Sequence, residues 1–172
     1  LSKDGVFDSE AAGMLQTVLR ALAEPGSPGL FRAALATPLL GFDAAAIEAF
    51  DSDPQRSART IDDFDRAAAL WRSRGPLPAL LPFARQAAPR WLGEIGGARR
   101  LTDLLHLLEL LQAEAPQHHG PAELLRWFAA QADASTREND SRQLRLEADA
   151  GLIQITTMHK AKGLEYAVVV LP

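Results

Sequence analysis

Between Ala98 and Glu114, leucine recurs on almost every side of a helical wheel, at Leu101, Leu104, Leu105, Leu107, Leu108, Leu110 and Leu111. A surface helix confines its apolar residues to one stripe, so a helix that is apolar nearly all round must be covered from several directions. This segment is therefore expected in the middle of a helical bundle. Its polar positions, Thr102, His106 and Glu109, fall at i, i+4 and i+7 and form one narrow seam.

The rest of the chain supplies helices to cover it. Ala11, Met14, Leu15, Val18, Leu19 and Leu22 make an amphipathic helix, with Asp8 or Ser9 as its N-cap and Pro25-Gly26 as its stop. Pro28 opens a second helix that ends near Thr37-Pro38, and Asp43 caps a short one reaching Phe50. Asp51 to Pro54 reads as a loop, and Ser57 to Arg74 as a longer helix with Ile61, Phe64, Ala68 and Trp71 on one face. After Gly75-Pro76, Pro78 to Trp91 continues helically, with a kink or turn expected near Pro82 and Pro89. Pro121 to Ala132 is the last helix, and Ala134 to Arg142 reads as a polar, mobile connection.

A hydrophobic content of 47% with 23% charged residues over 172 residues is ordinary for a globular domain. A net charge of −4 gives the chain no overall basic field, so any contact with nucleic acid must be local. The absence of cysteine removes disulfides and thiolate metal sites, which fits a cytoplasmic protein. Lysine occurs only at Lys3, Lys160 and Lys162; every other basic residue is arginine.

Two of those lysines sit in the tail, which differs in kind from everything before it. An alternating apolar run through Leu152, Ile153 and Ile155 leads into Thr157-Met158-His159-Lys160-Ala161-Lys162-Gly163-Leu164-Glu165. Tyr166 to Leu171 then forms a second apolar run. Two short β-rich runs around a polar connection predict a strand–loop–strand unit, with strands at 152–158 and 167–171. Such a unit gathers His159, Lys160, Lys162 and Glu165 at the end of a sheet, where ligands bind in α/β folds. Thr157 and His159 can hydrogen-bond a phosphate or a base, and Gly163 allows close approach of backbone to a phosphate. A carboxylate such as Glu165 suits a ribose hydroxyl, and Lys160 and Lys162 can neutralise phosphate charge. The plainer reading is a turn with solvated charges. A chain that starts at Leu1 and stops at Pro172, directly after a buried-type strand, is expected to be a piece of a larger protein.

The pattern TxHxxKGLEY, carried here by Thr157, His159, Lys162, Gly163, Leu164, Glu165 and Tyr166, resembles motif V of the UvrD/RecB family of superfamily 1 helicases. Weaker likenesses extend upstream. They include Gln143 to Glu147, Gly96 to His106, Val6-Phe7 with Glu10-Ala11, and the loop Ala34 to Gly41. Related helicases often carry arginine before the glycine of a TPxRG loop; Leu40 precedes Gly41 here, which favours the RecB branch.

The resemblance implies a mainly α fold, a helical bundle of the 2B-subdomain type with a short C-terminal β segment. Residues 1–25 would be a stub of the RecA-like 2A domain, 26–150 the 2B subdomain, and 151–172 the return to 2A with motif V. It further implies that Thr157, His159, Lys160 and Lys162 face DNA and that Gly163 and Glu165 face the nucleotide. The parent protein would use ATP and Mg²⁺, move 3′→5′ on DNA, degrade DNA ends, and work with RecC and RecD subunits in break repair. The segment itself would be a regulatory or positioning module with no catalytic residue. An AddA-type or UvrD-like helicase fragment, or a free-standing helical interaction module, is the alternative.

No phosphate-cradling GxxxxGK[ST] loop occurs in the chain, so it is not expected to hydrolyse ATP alone. Asp62, Asp63 and Asp65 do not all converge on a helix and read as a solvated acidic face. His118-His119 reads as a surface turn rather than a metal site, and His106 as a hydrogen-bonded seam residue. Trp71, Trp91 and Trp127 sit at helical apolar spacing and are expected in packing rather than stacked on bases. Arg137, Arg142 and Arg145 read as a solvated linker.

Overall fold

The structure, a computed structural model, describes residues 3–134. The expected β segment, its motif and the connection from Ser135 onward lie outside the described residues.

Helix α1 (Lys3–Val6) leads into α2 (Glu10–Ala23). Ser9 is the N-cap of α2: its hydroxyl oxygen accepts from the Ala12 amide at 3.3 Å and its hydroxyl donates to the Val6 carbonyl at 2.6 Å. Helix α3 (Pro28–Leu35) has proline in its first turn, and α4 (Ala44–Glu48) is capped by Asp43, which accepts from the Ala46 amide at 2.7 Å. A 3₁₀ turn (Phe50–Ser52) precedes α5 (Pro54–Arg74).

Helix α5 starts at Pro54 rather than Ser57. Asp53 accepts from the Arg56 amide at 3.0 Å, and proline at the first helical position forfeits only an N–H that would have no helical partner. Helix α6 (Pro76–Leu92) runs through Pro82 and Pro89 without an intervening turn. Helix α7 (Gly97–Glu114) and a 3₁₀ turn (Ala115–Gln117) lead to the last described helix, α8 (121–134).

These helices form a mainly α bundle around one apolar core. Helix α7 packs against α6 and α2, α2 also packs against α3 and α5, and α5 against α6. Leu104, Leu107, Leu108 and Leu111 of α7 are fully buried, while Leu101, Leu105 and Leu110 are half-buried against the same core. The seam expected on this helix is its outer side: Thr102 and Glu109 are exposed. His106, between them, is half-buried, with no hydrogen bond to another described residue.

Two aromatic groups tie distant segments together. Phe31 of α3 meets Phe64 of α5 at 4.9 Å and Phe50 at 5.7 Å, and Phe64 meets Phe83 of α6 at 5.6 Å. Phe7 packs edge-on to Trp127 at 5.9 Å and against Phe128 at 5.6 Å, which joins the start of the chain to α8. One acid is buried in this setting. Asp103 is 5% exposed and both its oxygens accept from the Arg99 Nε at 2.9 Å, one turn earlier on α7.

Arg100 closes the N-terminal end of the bundle. Its guanidinium lies 5.5 Å from the Trp91 ring centroid and donates to Glu94 at 2.9 Å and Glu10 at 3.4 Å. The hydrogen bond to Glu94 is the main reason its pKa lies above the usual arginine value. No helix among the described residues is long and apolar enough to cross a membrane.

Candidate functional site

The loop after α3 is the part of the described structure where the sequence resemblance and a shaped polar surface coincide. Its backbone folds back on the helix end. The Thr37 amide and hydroxyl both donate to the Ala34 carbonyl, at 3.0 and 2.6 Å. The Gly41 amide donates to the Thr37 carbonyl at 2.8 Å, and the Phe42 amide to the Leu35 carbonyl at 3.1 Å. This reversal needs φ = +70° at Gly41, a region open to glycine.

Helix α6 clamps the outer side of the loop. The Trp91 indole N–H donates to the Pro38 carbonyl at 3.2 Å, and the Arg90 guanidinium donates to the same oxygen. A Cβ on Gly41 would lie 2.6 Å from the Arg90 guanidinium carbon. The guanidinium beside this glycine thus comes from α6, while Leu40 packs half-buried against the core.

A groove of about 480 Å³ opens next to the loop, between the start of α5 and the end of α6. Arg56, Arg59 and Arg90 line it together with Gln55, Thr60 and Gln86. Arg56 lies over the Phe42 ring at 4.4 Å, an arrangement that fixes a planar cation without neutralising it. Two acids also border the groove, and both are engaged elsewhere. Asp53 caps α5, and Asp63 accepts from Arg66 at 3.1 Å. Guanidinium groups along a groove, two of them held by Phe42 and the Pro38 carbonyl, with amide side chains beside them can donate to phosphate oxygens.

The remaining candidates from the sequence fall as follows. Thr157, His159, Lys160, Lys162, Gly163 and Glu165 lie outside the described residues, as do Arg137, Arg142 and Arg145. Asp62, Asp63 and Asp65 are all exposed on α5. Asp65 borders a different, apolar groove with Phe31 and Ile61, so the three carboxylates do not share a site. No His, Asp and Glu cluster among the described residues is arranged to hold a metal ion.

His118 stacks obliquely near Trp127, with its Nε2 3.3 Å from a Glu114 oxygen. The His119 amide donates to Glu123 at 2.6 Å, and this bond is the main reason the Glu123 carboxyl lies below the usual glutamate range. Trp71 and Trp91 are buried, at 5% and 0% exposure, and Trp127 is half-buried. Trp71 and Trp91 are core residues. The arginine groove went unseen in the sequence because its cations come from positions 56, 59 and 90, which share no motif.

The described residues form a helical module with an arginine-lined groove beside the family-like loop. No family model matches the chain. It is 39% identical to RecBCD enzyme subunit RecB of Escherichia coli over 99% of its own length, and 37% identical to that of Haemophilus influenzae over 99%. A more distant relative, 24% identical over 96% of the chain, is an ATP-dependent helicase/nuclease component from Leuconostoc mesenteroides. The chain spans only about 15% of the length of these relatives. Along nearly its whole length the chain is homologous to a portion of RecB subunits.

Proposed function

We propose that the chain is the 2B-type portion of an ATP-dependent helicase–nuclease, and that it acts by positioning DNA rather than by catalysis. The observation that carries this reading is the match along nearly the whole chain to RecB subunits. In the parent, residues 1–25 and 151–172 belong to the RecA-like 2A domain and 26–150 to the inserted bundle. The parent binds ATP and Mg²⁺, unwinds DNA in the 3′→5′ direction, and assembles with RecC- and RecD-type subunits in the cytoplasm. In the tail, Gly163 and Glu165 face the nucleotide, and Thr157, His159, Lys160 and Lys162 face the DNA strand. These roles rest on the motif resemblance alone.

Within the bundle, the groove lined by Arg56, Arg59 and Arg90 gives the positioning role a physical basis. Three cations neutralising phosphates release counterions, so binding should weaken with salt with a slope of about −2 to −3 in log K against log salt. The test is a titration of the chain with a duplex–single-strand junction at low and moderate salt. Binding that shows this slope and is lost in Arg56→Glu/Arg59→Glu supports the reading. Binding unchanged in that variant, or none at low salt, removes the groove from it. ATP turnover by the pure chain, persisting after further purification, overturns the non-catalytic role.

A further inference from the structure

On another face of the bundle, α2, α8 and the end of α5 enclose a second groove, of about 600 Å³. Its floor is apolar and small: Ala23 of α2 with Leu125 and Ala129 of α8. Its rim carries Arg20, Arg72 and Arg126, against one acid, Glu24. None of these arginines makes an ion pair with a described residue, whereas Arg32, Arg66, Arg99 and Arg100 all do.

The placement follows from helix periodicity. The inward positions of α2 are Leu15, Val18, Leu19 and Leu22, which leaves Gln16, Arg20 and Ala23 on its outer side. Alanines at 23 and 129 keep the floor low, so two helices that would otherwise close over leucines leave a trough. The first groove differs in that its lining is mostly polar, which suits a sugar–phosphate backbone. Here a phosphodiester would leave the apolar floor unused.

We infer that this trough is a docking site for an acidic amphipathic helix of a partner protein. A helix laid in the trough places its apolar residues on Ala23, Leu125 and Ala129, and its carboxylates reach the three guanidinium groups. Charge complementarity sets the choice: even with Glu123 acting on Arg126 from outside the groove, three cations and the single lining carboxylate Glu24 repel a basic helix and attract an acidic one. The inference depends on no activity of the parent and on no contact at the first groove.

A synthetic helical peptide of about 18 residues, roughly 27 Å long, serves as probe, with leucines on one face and glutamates elsewhere. It is titrated into the isotopically labelled 172-residue chain while amide shifts are followed. Saturable shifts confined to Gln16, Ala23, Leu125 and Ala129 are expected. Arg20→Glu/Arg126→Glu, two exposed substitutions checked for unchanged helicity, should bind about tenfold more weakly. A companion peptide with lysine for glutamate should not saturate. Absence of saturable shifts, shifts elsewhere, or equal affinity in the double variant overturns the inference. So do equal binding of the lysine peptide, self-association of the chain through these residues, and a DNA duplex that shifts them where the peptide does not.

Discussion

The side-chain amide of Gln112 rests against Gly75 and bridges the two helices that meet there. Its oxygen accepts from the Leu77 amide at 3.1 Å, and its nitrogen donates to the Arg74 carbonyl at 3.1 Å. One residue of α7 thus satisfies the last turn of α5 and the first turn of α6, where helix ends leave backbone groups unpaired. Gly75 makes room for it with φ = +93° and ψ = 175°. Gln112→Ala is expected to cost about 1–3 kcal/mol, through two lost bonds and the orphaned groups. Gly75→Ala meets both a glycine-only backbone region and a Cβ placed 2.3 Å from the Gln112 oxygen. It should cost at least as much, about 1–3 kcal/mol from backbone strain alone. Urea unfolding followed by circular dichroism reads both.

Gly97 is tighter still. A Cβ there would lie 1.7 Å from the Trp91 carbonyl oxygen, and neither partner is a flexible side chain. Gly97→Ala should therefore push α7 away from the end of α6, at a cost of roughly 2–4 kcal/mol. Gly96→Ala is the control: its surroundings are open, so only its positive φ is penalised. A Gly97→Ala protein as stable as the wild type would mean that the two helix ends do not approach so closely.

Removing residues 1–25 tests how far the bundle depends on α2. Leu15, Val18, Leu19 and Leu22 are each at most 1% exposed in the shared core. Their burial supplies roughly 6–12 kcal/mol, as much as the whole net stability of a typical domain. A chain beginning at Gly26 is expected to lose its cooperative thermal transition and to bind a hydrophobic dye. A sharp calorimetric transition from that chain would show that α2 is dispensable.

Glu123 reaches back from the first turn of α8 to the His119 amide, in the manner of a capping box. Its carboxyl titrates below the ordinary glutamate range, principally through that bond. A depressed folded-state pKa means that the stabilisation is complete above the unfolded value and is lost as pH falls through the folded one. The His119 amide shift should follow this acid transition, with a midpoint lower than that of a free glutamate. In Glu123→Gln the transition should vanish from that amide. A midpoint at or above the ordinary value would contradict the hydrogen bond.

Much of the fold was legible because its signals are local. Ser9 and Asp43 cap the helices they precede, Pro28 opens one, and Gly75 ends another, each through chemistry confined to a few residues. What escaped depends on the third dimension. Asp103 carries no local signal on the leucine helix, and only the packing of α7 reveals it as buried beside Arg99. Pro82 and Pro89 predict a kink or turn, yet α6 is one continuous helix, held along its length by Leu80, Phe83, Ala84 and Ala87 in the core, which outweighs the missing hydrogen bonds. The family was legible from motif V, whose residues lie outside the described structure. The described groove was not, since Arg90 meets Gly41 only through the docking of α6 on the loop.

Trp91 gives that docking an optical readout. Its indole is fully buried and its N–H is spent on the Pro38 carbonyl, so seating of the loop and shielding of the chromophore are one event. Any ligand or substitution that lifts Pro38 away must wet the ring and move its emission to longer wavelength. The chain thus carries an intrinsic fluorophore at the seam where its candidate groove is assembled.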